Sequence, residues 1–244
     1  MKTPNNASRA VRQTRSAAAA AVLALAAVAS AQPADIVRPQ GKLLVSNNFS
    51  GDPGDWIDAS RGFAELDATA GHAAPSLRIA IPGLGMEGIN FITHDPAWLG
   101  ALTSRTSIDF GLRAQTNSIL FQGRQVPRDL IVEIRDYDNP PVDHPYTSVW
   151  ARLGTLRQSN KPWKWMHATI PDTRSDALPE GWSGYGAEDA EGNISLPPDR
   201  TFADVLMHAD EIVITTLVPG YLFSMDVEWD VAMDNVYIAK PAAQ

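Results

Sequence analysis

Aliphatic side chains recur at every second position in short runs along this chain, a period that fits half-buried β-strands and does not fit helices. Leu77, Ile79 and Ile81 alternate with Arg78 and Ala80, and Ile108, Phe110 and Leu112 repeat the pattern. Leu130, Val132 and Ile134 oppose Ile131, Glu133 and Arg135, which sends a charged pair to the outer or concave face. The runs are rich in β-branched and aromatic residues and are bounded by Gly, Pro, Asn or Asp. They fall at residues 42–49, 62–67, 76–81, 88–93, 106–114, 129–137, 147–153, 163–170, 211–218 and 233–239. About ten strands of this kind predict an all-β fold, an antiparallel β-sandwich.

One short helix is expected at residues 201–208. Thr201 followed by Asp204 imitates a capping box, and Phe202, Val205 and Leu206 share a face. Residues 138–146 hold Asn139, Pro140, Pro141 and Pro145, and residues 172–198 are rich in Gly, Pro and acid, so both read as long loops. The acidic series Asp226, Glu228 and Asp230 alternates with apolar residues and reads either as a second cation site or, more commonly for such a series, as a solvated edge that deters strand pairing.

Residues 1–31 read as an export signal. Lys2, Arg9, Arg12 and Arg15 form a basic head, and an alanine-rich apolar stretch ends at Ala29-Ser30-Ala31, which predicts cleavage before Gln32. That stretch is short for a bilayer, which needs about 20 apolar residues, and no other segment suits a span. Residues 32–244 are then a single domain, secreted or periplasmic.

The signal carries four basic and no acidic residues, so its removal takes the formal net charge from −8 to −12. Duplex binding draws its affinity from Lys and Arg replacing counterions, so the charge argues against a nucleic-acid partner and, less firmly, against an acidic polysaccharide. There is no cysteine, which removes disulfides, thiol catalysis and thiolate metal sites. The histidines show no zinc spacing, and neither a Gly-x-Ser-x-Gly elbow nor a phosphate-binding glycine loop occurs.

A pyranose offers an apolar face to stack and hydroxyls to pair, so aromatic residues beside acids and amides are candidates for sugar contact. The concentrations are Trp150 with Arg152, Trp163 and Trp165 around Lys164, and Trp182 with Tyr185 in the long polar loop. Trp163, Trp165 and His167 share one strand face, which suits either a stacking platform or the core. Glu133 and Arg135 are ligand candidates on the most charged strand. They read as a same-face ion pair, with paired-carboxylate hydrolysis as the alternative chemistry.

The order of several motifs resembles laminin B domains, also called laminin IV type A, within the broader galactose-binding-like and carbohydrate-binding jelly rolls. Asn48-Phe49 with Trp56 opens the match, and residues 71–79 turn into a strand. Asp95-Pro96-Ala97-Trp98-Leu99-Gly100 precedes Ile108 to Arg113, and Met233-Asp234-Asn235-Val236-Tyr237-Ile238 closes it. The resemblance spans roughly residues 45–239 and implies a jelly roll used for adhesion or glycan contact, with no catalytic residues. It departs in lacking cysteines and flanking cysteine-rich repeats. In galactose-binding-like modules the aspartate matching Asp234 often holds a structural calcium, with ligands here expected near Asn48, Asp52, Asp67 and Gly71. The alternative is that Asp234 accepts backbone amides at a strand turn.

The function expected is a secreted non-catalytic binding or adhesion module for a glycan or a cell-surface or matrix partner. The alternatives are a jelly-roll glycoside hydrolase or polysaccharide lyase, and a structural surface protein without a small ligand.

Overall fold

A computed structural model describes residues 41–50, 54, 56–59, 64–69, 75–83, 88–160, 162–221 and 226–241. The chain opens with β1 (Leu43–Asn47), β2 (Ile57–Asp58), β3 (Ala64–Asp67), β4 (Ser76–Ile81) and β5 (Asn90–Thr93). Helix α1 (Pro96–Thr103) leads to β6 (Ile108–Phe121), β7 (Arg124–Gln125), β8 (Arg128–Asp136), β9 (Thr147–Leu156) and β10 (Lys164–Ile170). Then come β11 (Trp182–Tyr185), β12 (Ala187–Glu188), β13 (Ile194–Ser195), α2 (Phe202–Met207), β14 (Glu211–Thr215) and β15 (Val227–Ala239).

The strands form two antiparallel sheets and a small β12–β13 ribbon. The seven-stranded sheet runs β10-β6-β15-β4-β3, with β1 also pairing β15 and β7 pairing β6. The six-stranded sheet runs β11-β9-β8-β14-β5-β2. This is the all-β sandwich that the alternation predicts. Leu77, Ile79, Phe110 and Leu112 from one sheet and Val132, Ile134, Val149 and Ile212 from the other enter a single apolar core. Period-two burial thus fixes which residues face outward: on β8 these are Ile131, Glu133 and Arg135.

Helix α2 forms where the sequence places it, with the Thr201 side chain capping Asp204 N and Asp204 reaching back to the Thr201 backbone. Its Phe202, Val205 and Leu206 are buried. Helix α1 is an addition to the expected elements. Asp95 caps it and Pro96 occupies its first turn, where a missing N–H costs nothing. The helix buries Trp98, which meets Trp56 edge-on at 5.1 Å between ring centroids.

Three expectations are corrected. The acidic series at 226–230 is not a sheet edge: β15 extends back to Val227 and lies between β6 and β4, where Arg78 and Asn117 donate to Asp230. Strand β6 runs on through the polar residues 115–118 to Phe121 and turns into β7 at Gln122 and Gly123. Both turn residues have positive φ, 50° and 73°, as a tight hairpin requires. Residues 172–198 are not wholly loop, because β11, β12 and β13 lie within them.

Candidate functional site

The outer face of the six-stranded sheet carries two rows of side chains set by strand register. Tyr185, Ser148, Arg135 and Glu211 stand opposite one another on β11, β9, β8 and β14. The adjacent row is Ser183, Trp150, Glu133, Val213, Ile92 and Ile57. The first row is polar and the second grades from polar to apolar.

Glu133 is fully buried, and both its oxygens are engaged. Arg135 Nε and Nη2 donate to Oε2 at 2.9 and 2.7 Å, and Ser148 Oγ donates to Oε1 at 2.7 Å. Arg135 Nη1 donates to Glu211 Oε1 at 2.8 Å, so one guanidinium bridges two carboxylates. The Tyr137 hydroxyl donates to the same Glu211 oxygen at 3.4 Å, and His94 Nε2 lies 3.4 Å from Glu211 Oε2. A buried carboxylate needs this compensation, since losing its water shell costs several kcal/mol. Burial pushes the Arg135 guanidinium toward deprotonation, but the charge and hydrogen bonds of Glu133 outweigh it and raise its pKa.

Aromatic rings gather over the bridge. The Arg135 guanidinium carbon sits 4.6 Å from the centre of the Tyr146 ring. Tyr146 contacts Tyr137 and Tyr185 at centroid distances of 5.5 and 5.1 Å, and Tyr185 contacts His144 at 5.3 Å. Burial, and then the negative charge of Glu133, pushes the Tyr146 and Tyr185 phenols above their ordinary pKa. Tyr137 is raised by burial and by Glu211. All three remain neutral hydroxyls near pH 7.

The arrangement locks Glu133 in an ion pair beneath aromatic rings. Glu133 is fully buried, and both its oxygens already accept hydrogen bonds from Arg135 and Ser148. The rings, by contrast, are only partly covered: Tyr137 is 41% exposed, and Tyr146 and Tyr185 are half-buried.

A carboxylate cluster adjoins this face. Asp136, Asp138 and Asp210 each bring one oxygen within 4.8 Å of the others, the one such grouping among the described residues. Asp136 is buried, accepts from Asp138 N at 2.7 Å and faces Arg200 Nη1 at 3.2 Å. Burial raises its carboxyl pKa against the pull of that amide and of Arg200. Asp210 Oδ2 accepts from Tyr137 N at 2.8 Å. These three residues can supply oxygens to a cation, although Arg200 already neutralises part of their charge.

The other sequence-derived candidates separate. Trp150 lies on the outer face beside Glu133, and its indole N–H is buried without an acceptor among the described residues. Arg152 is exposed, 3.8 Å from Asp129. Trp165 belongs to the opposite sheet, where it meets Tyr237 edge-on at 5.8 Å, and Trp163 lies just before β10. Trp182 is not in a polar loop: it points into the core from β11, donates to Thr169 O at 3.0 Å and packs on Phe202 at 5.3 Å. A side chain so placed has no face to offer a ligand.

Of the expected calcium ligands, Asp52 and Gly71 lie outside the described residues. Asn48 Oδ1 accepts from Ser50 N at 3.2 Å, and Asp67 Oδ1 accepts from Thr69 N and Oγ1 at 2.8 and 2.7 Å. Asp234 accepts from Asn235 N at 2.6 Å, the backbone role weighed as its alternative. It stands opposite Arg113 across the strands, and burial raises its carboxyl pKa against that charge and the amide.

Sequence reading missed Tyr137, His144, Tyr146, Ser148, Glu211 and His94. The signal was the density of rings in the proline-rich loop 138–146, which period-based reading passes over because loops have no period.

No protein-family model matches the chain, and no curated protein does. Among solved structures it is similar to a carbohydrate esterase from the Shiga toxin-encoding bacteriophage phi24B, at 13% identity and a TM-score of 0.44, over 83% of this chain and 100% of that one. It is similar to an exo-β-agarase at 10% identity and a TM-score of 0.46, over 81% of this chain and 25% of that one. An arabinose-bound α-L-arabinofuranosidase is 10% identical with a TM-score of 0.40, over 84% and 26%. The chain spans about a quarter of the length of these last two enzymes.

Proposed function

We propose that the chain is an exported, non-catalytic binding module that holds a neutral glycan on the outer face of its six-stranded sheet. One observation carries the reading: Tyr137, Tyr146, Tyr185 and His144 form a partly open aromatic cluster over side chains locked by the Glu133–Arg135–Glu211 bridge. Rings that are already ordered lose little entropy on stacking against a sugar, and fixed polar groups beside them select its orientation. Two carboxylates against one guanidinium leave the bridge negative, and the whole chain is acidic, so neutral sugars are favoured over anionic ones.

The laminin B resemblance and the export signal at residues 1–31 support the same reading, adhesion or glycan contact outside the cytoplasm. A structural calcium belongs to this proposal through the resemblance. Its test is thermal melting with and without chelator, where a hundredfold excess of ion over Kd adds about 2.7 kcal/mol. An unchanged melt removes the ion from the account.

The functional test is a panel of immobilised neutral and acidic polysaccharides. Wild type retains a neutral polysaccharide, and Tyr146→Ala and Tyr185→Ala lose it. Release of reducing ends or unsaturated products, abolished by Glu133→Gln, would replace binding with catalysis. Inertness throughout would leave a structural surface protein.

A further inference from the structure

We propose that the opposite face of the sandwich carries a second, separate site for a single neutral sugar unit, in the pocket between β1, β15 and β10. The pocket has a volume of about 330 Å³, at the small end of ligand sites, and so suits one ring rather than a chain. This inference does not rest on the binding face proposed above.

Local irregularities build the pocket. Strand β15 takes one extra residue against β6 between Asp234 and Tyr237, and Asn235 within that bulge has a left-handed φ of 53°. Strand β1 carries a second register shift between Leu43 and Val45. Bulges bend a strand and re-aim its side chains, and natural sheets use them beside binding sites. Two residues before Arg113, strand β6 places Gly111 between His167 of β10 and Tyr237 of β15. A Cβ there would lie 2.6 Å from the Tyr237 hydroxyl, so the absent side chain is what lets Tyr237 lie across β6 toward Trp165.

The lining then has the chemistry of sugar contact. Trp165 supplies a partly exposed ring, set edge to face against the buried Tyr237. Ser46, Asn48 and Asn235 supply a hydroxyl and amides, and among the described residues none that lines the pocket is charged. The charges next to the lining, Arg113 and Asp234, are cross-strand partners that offset one another, with the Arg113 guanidinium 5.1 Å from the Trp165 ring centre. The Trp165 indole N–H is itself buried, so the ring rather than the N–H is what the pocket offers, and Asn48 is exposed with its Oδ1 accepting from Ser50 N at 3.2 Å.

The test follows the indole N–H signals of the seven tryptophans in a 15N spectrum, with Trp165 assigned by its loss in Trp165→Phe. The probes are D-glucose, D-galactose, D-xylose, L-arabinose and N-acetylglucosamine, with glucuronic acid and glucosamine as charged controls. At least one neutral sugar is expected to shift the Trp165 signal saturably. Asn48→Ala should weaken that binding about three- to tenfold, the value of one hydrogen bond, and Tyr185→Ala should leave it unchanged. The proposal is overturned if no neutral sugar moves the signal up to about 50 mM, well above a weak millimolar Kd. It is equally overturned if only charged sugars bind, if Asn48→Ala has no effect, or if Tyr185→Ala abolishes the shift.

Discussion

The two outer faces of the sandwich handle buried charge in different ways. On the six-stranded sheet a single arginine ties Glu133 to Glu211 and aromatic rings close over it, so the charges are desolvated and mutually dependent. On the seven-stranded sheet Arg78 meets Asp230 at 3.0 Å with both side chains about a third exposed, and a neutral pocket opens farther along β15. The contrast teaches that a desolvated guanidinium bridge makes its members depend on one another, whereas a partly exposed pair such as Arg78–Asp230 is screened by solvent. Breaking one member should therefore cost far more on the first face than on the second.

The largest effect is expected from Arg135→Met, which leaves Glu133 buried without its cation. Urea unfolding should show a loss of about 3–5 kcal/mol, and adding Glu133→Leu should recover much of it, since a buried pair can be replaced more cheaply than halved. A loss below about 1 kcal/mol would erase the contrast between the faces.

Gly111→Ala comes next, at about 1–3 kcal/mol, because its Cβ would meet the Tyr237 hydroxyl at 2.6 Å and the His167 Cβ at 2.9 Å. Near-ultraviolet dichroism should change with it, reporting a displaced Tyr237 and a disturbed Trp165.

The Arg78–Asp230 pair should be worth only about 1 kcal/mol. Burial pushes the Asp230 carboxyl up, but hydrogen bonds from Arg78 and Asn117 outweigh it and hold its pKa below the ordinary value. A carboxyl lowered on folding stabilises the protein above its unfolded pKa of about 3.9, and that contribution fades as pH falls through the folded value. Melting temperature measured across acid pH should therefore fall less steeply in Asp230→Asn than in wild type. Equal slopes would remove the pair from the stability account.

The smallest stability change is expected from Tyr185→Ala, under about 1 kcal/mol by urea unfolding, since the ring is half-buried at the surface. Its effect should lie in binding, and that separation distinguishes a contact residue from a structural one.

Much of the fold was legible because alternation is enforced by burial. The rows Leu77, Ile79, Ile81 and Leu130, Val132, Ile134 face the core as their spacing requires, and the Thr201–Asp204 box caps its helix. Legibility failed where no period exists or where burial is two-sided. Trp182 reads as a loop residue because β11 is only four residues long amid glycine and proline, yet it fills the core. Helix α1 is short and contains Gly100, so its apolar face gave no distinct period. The acids of β15 look like an edge until Arg78 and Asn117, distant in sequence, are brought beside Asp230.

Of the candidate face, Glu133, Arg135, Trp150 and Tyr185 were legible, the charged pair because two outward positions on one strand must be neighbours. Their partners were not. Glu211 arrives from β14 and Tyr146 from a loop, and only strand order brings them to Arg135. Sheet pairing is a property of the whole chain, which no local window contains.

Hydrogen–deuterium exchange of the protein, alone and saturated with the neutral polysaccharide fragment it retains best, reads the location of binding directly. Added protection in residues 137–150 and 182–185 is the expected footprint. Protection confined to the Leu43–Asn48 edge of the other sheet, or none anywhere, would contradict a glycan-binding role for the tyrosine-covered face.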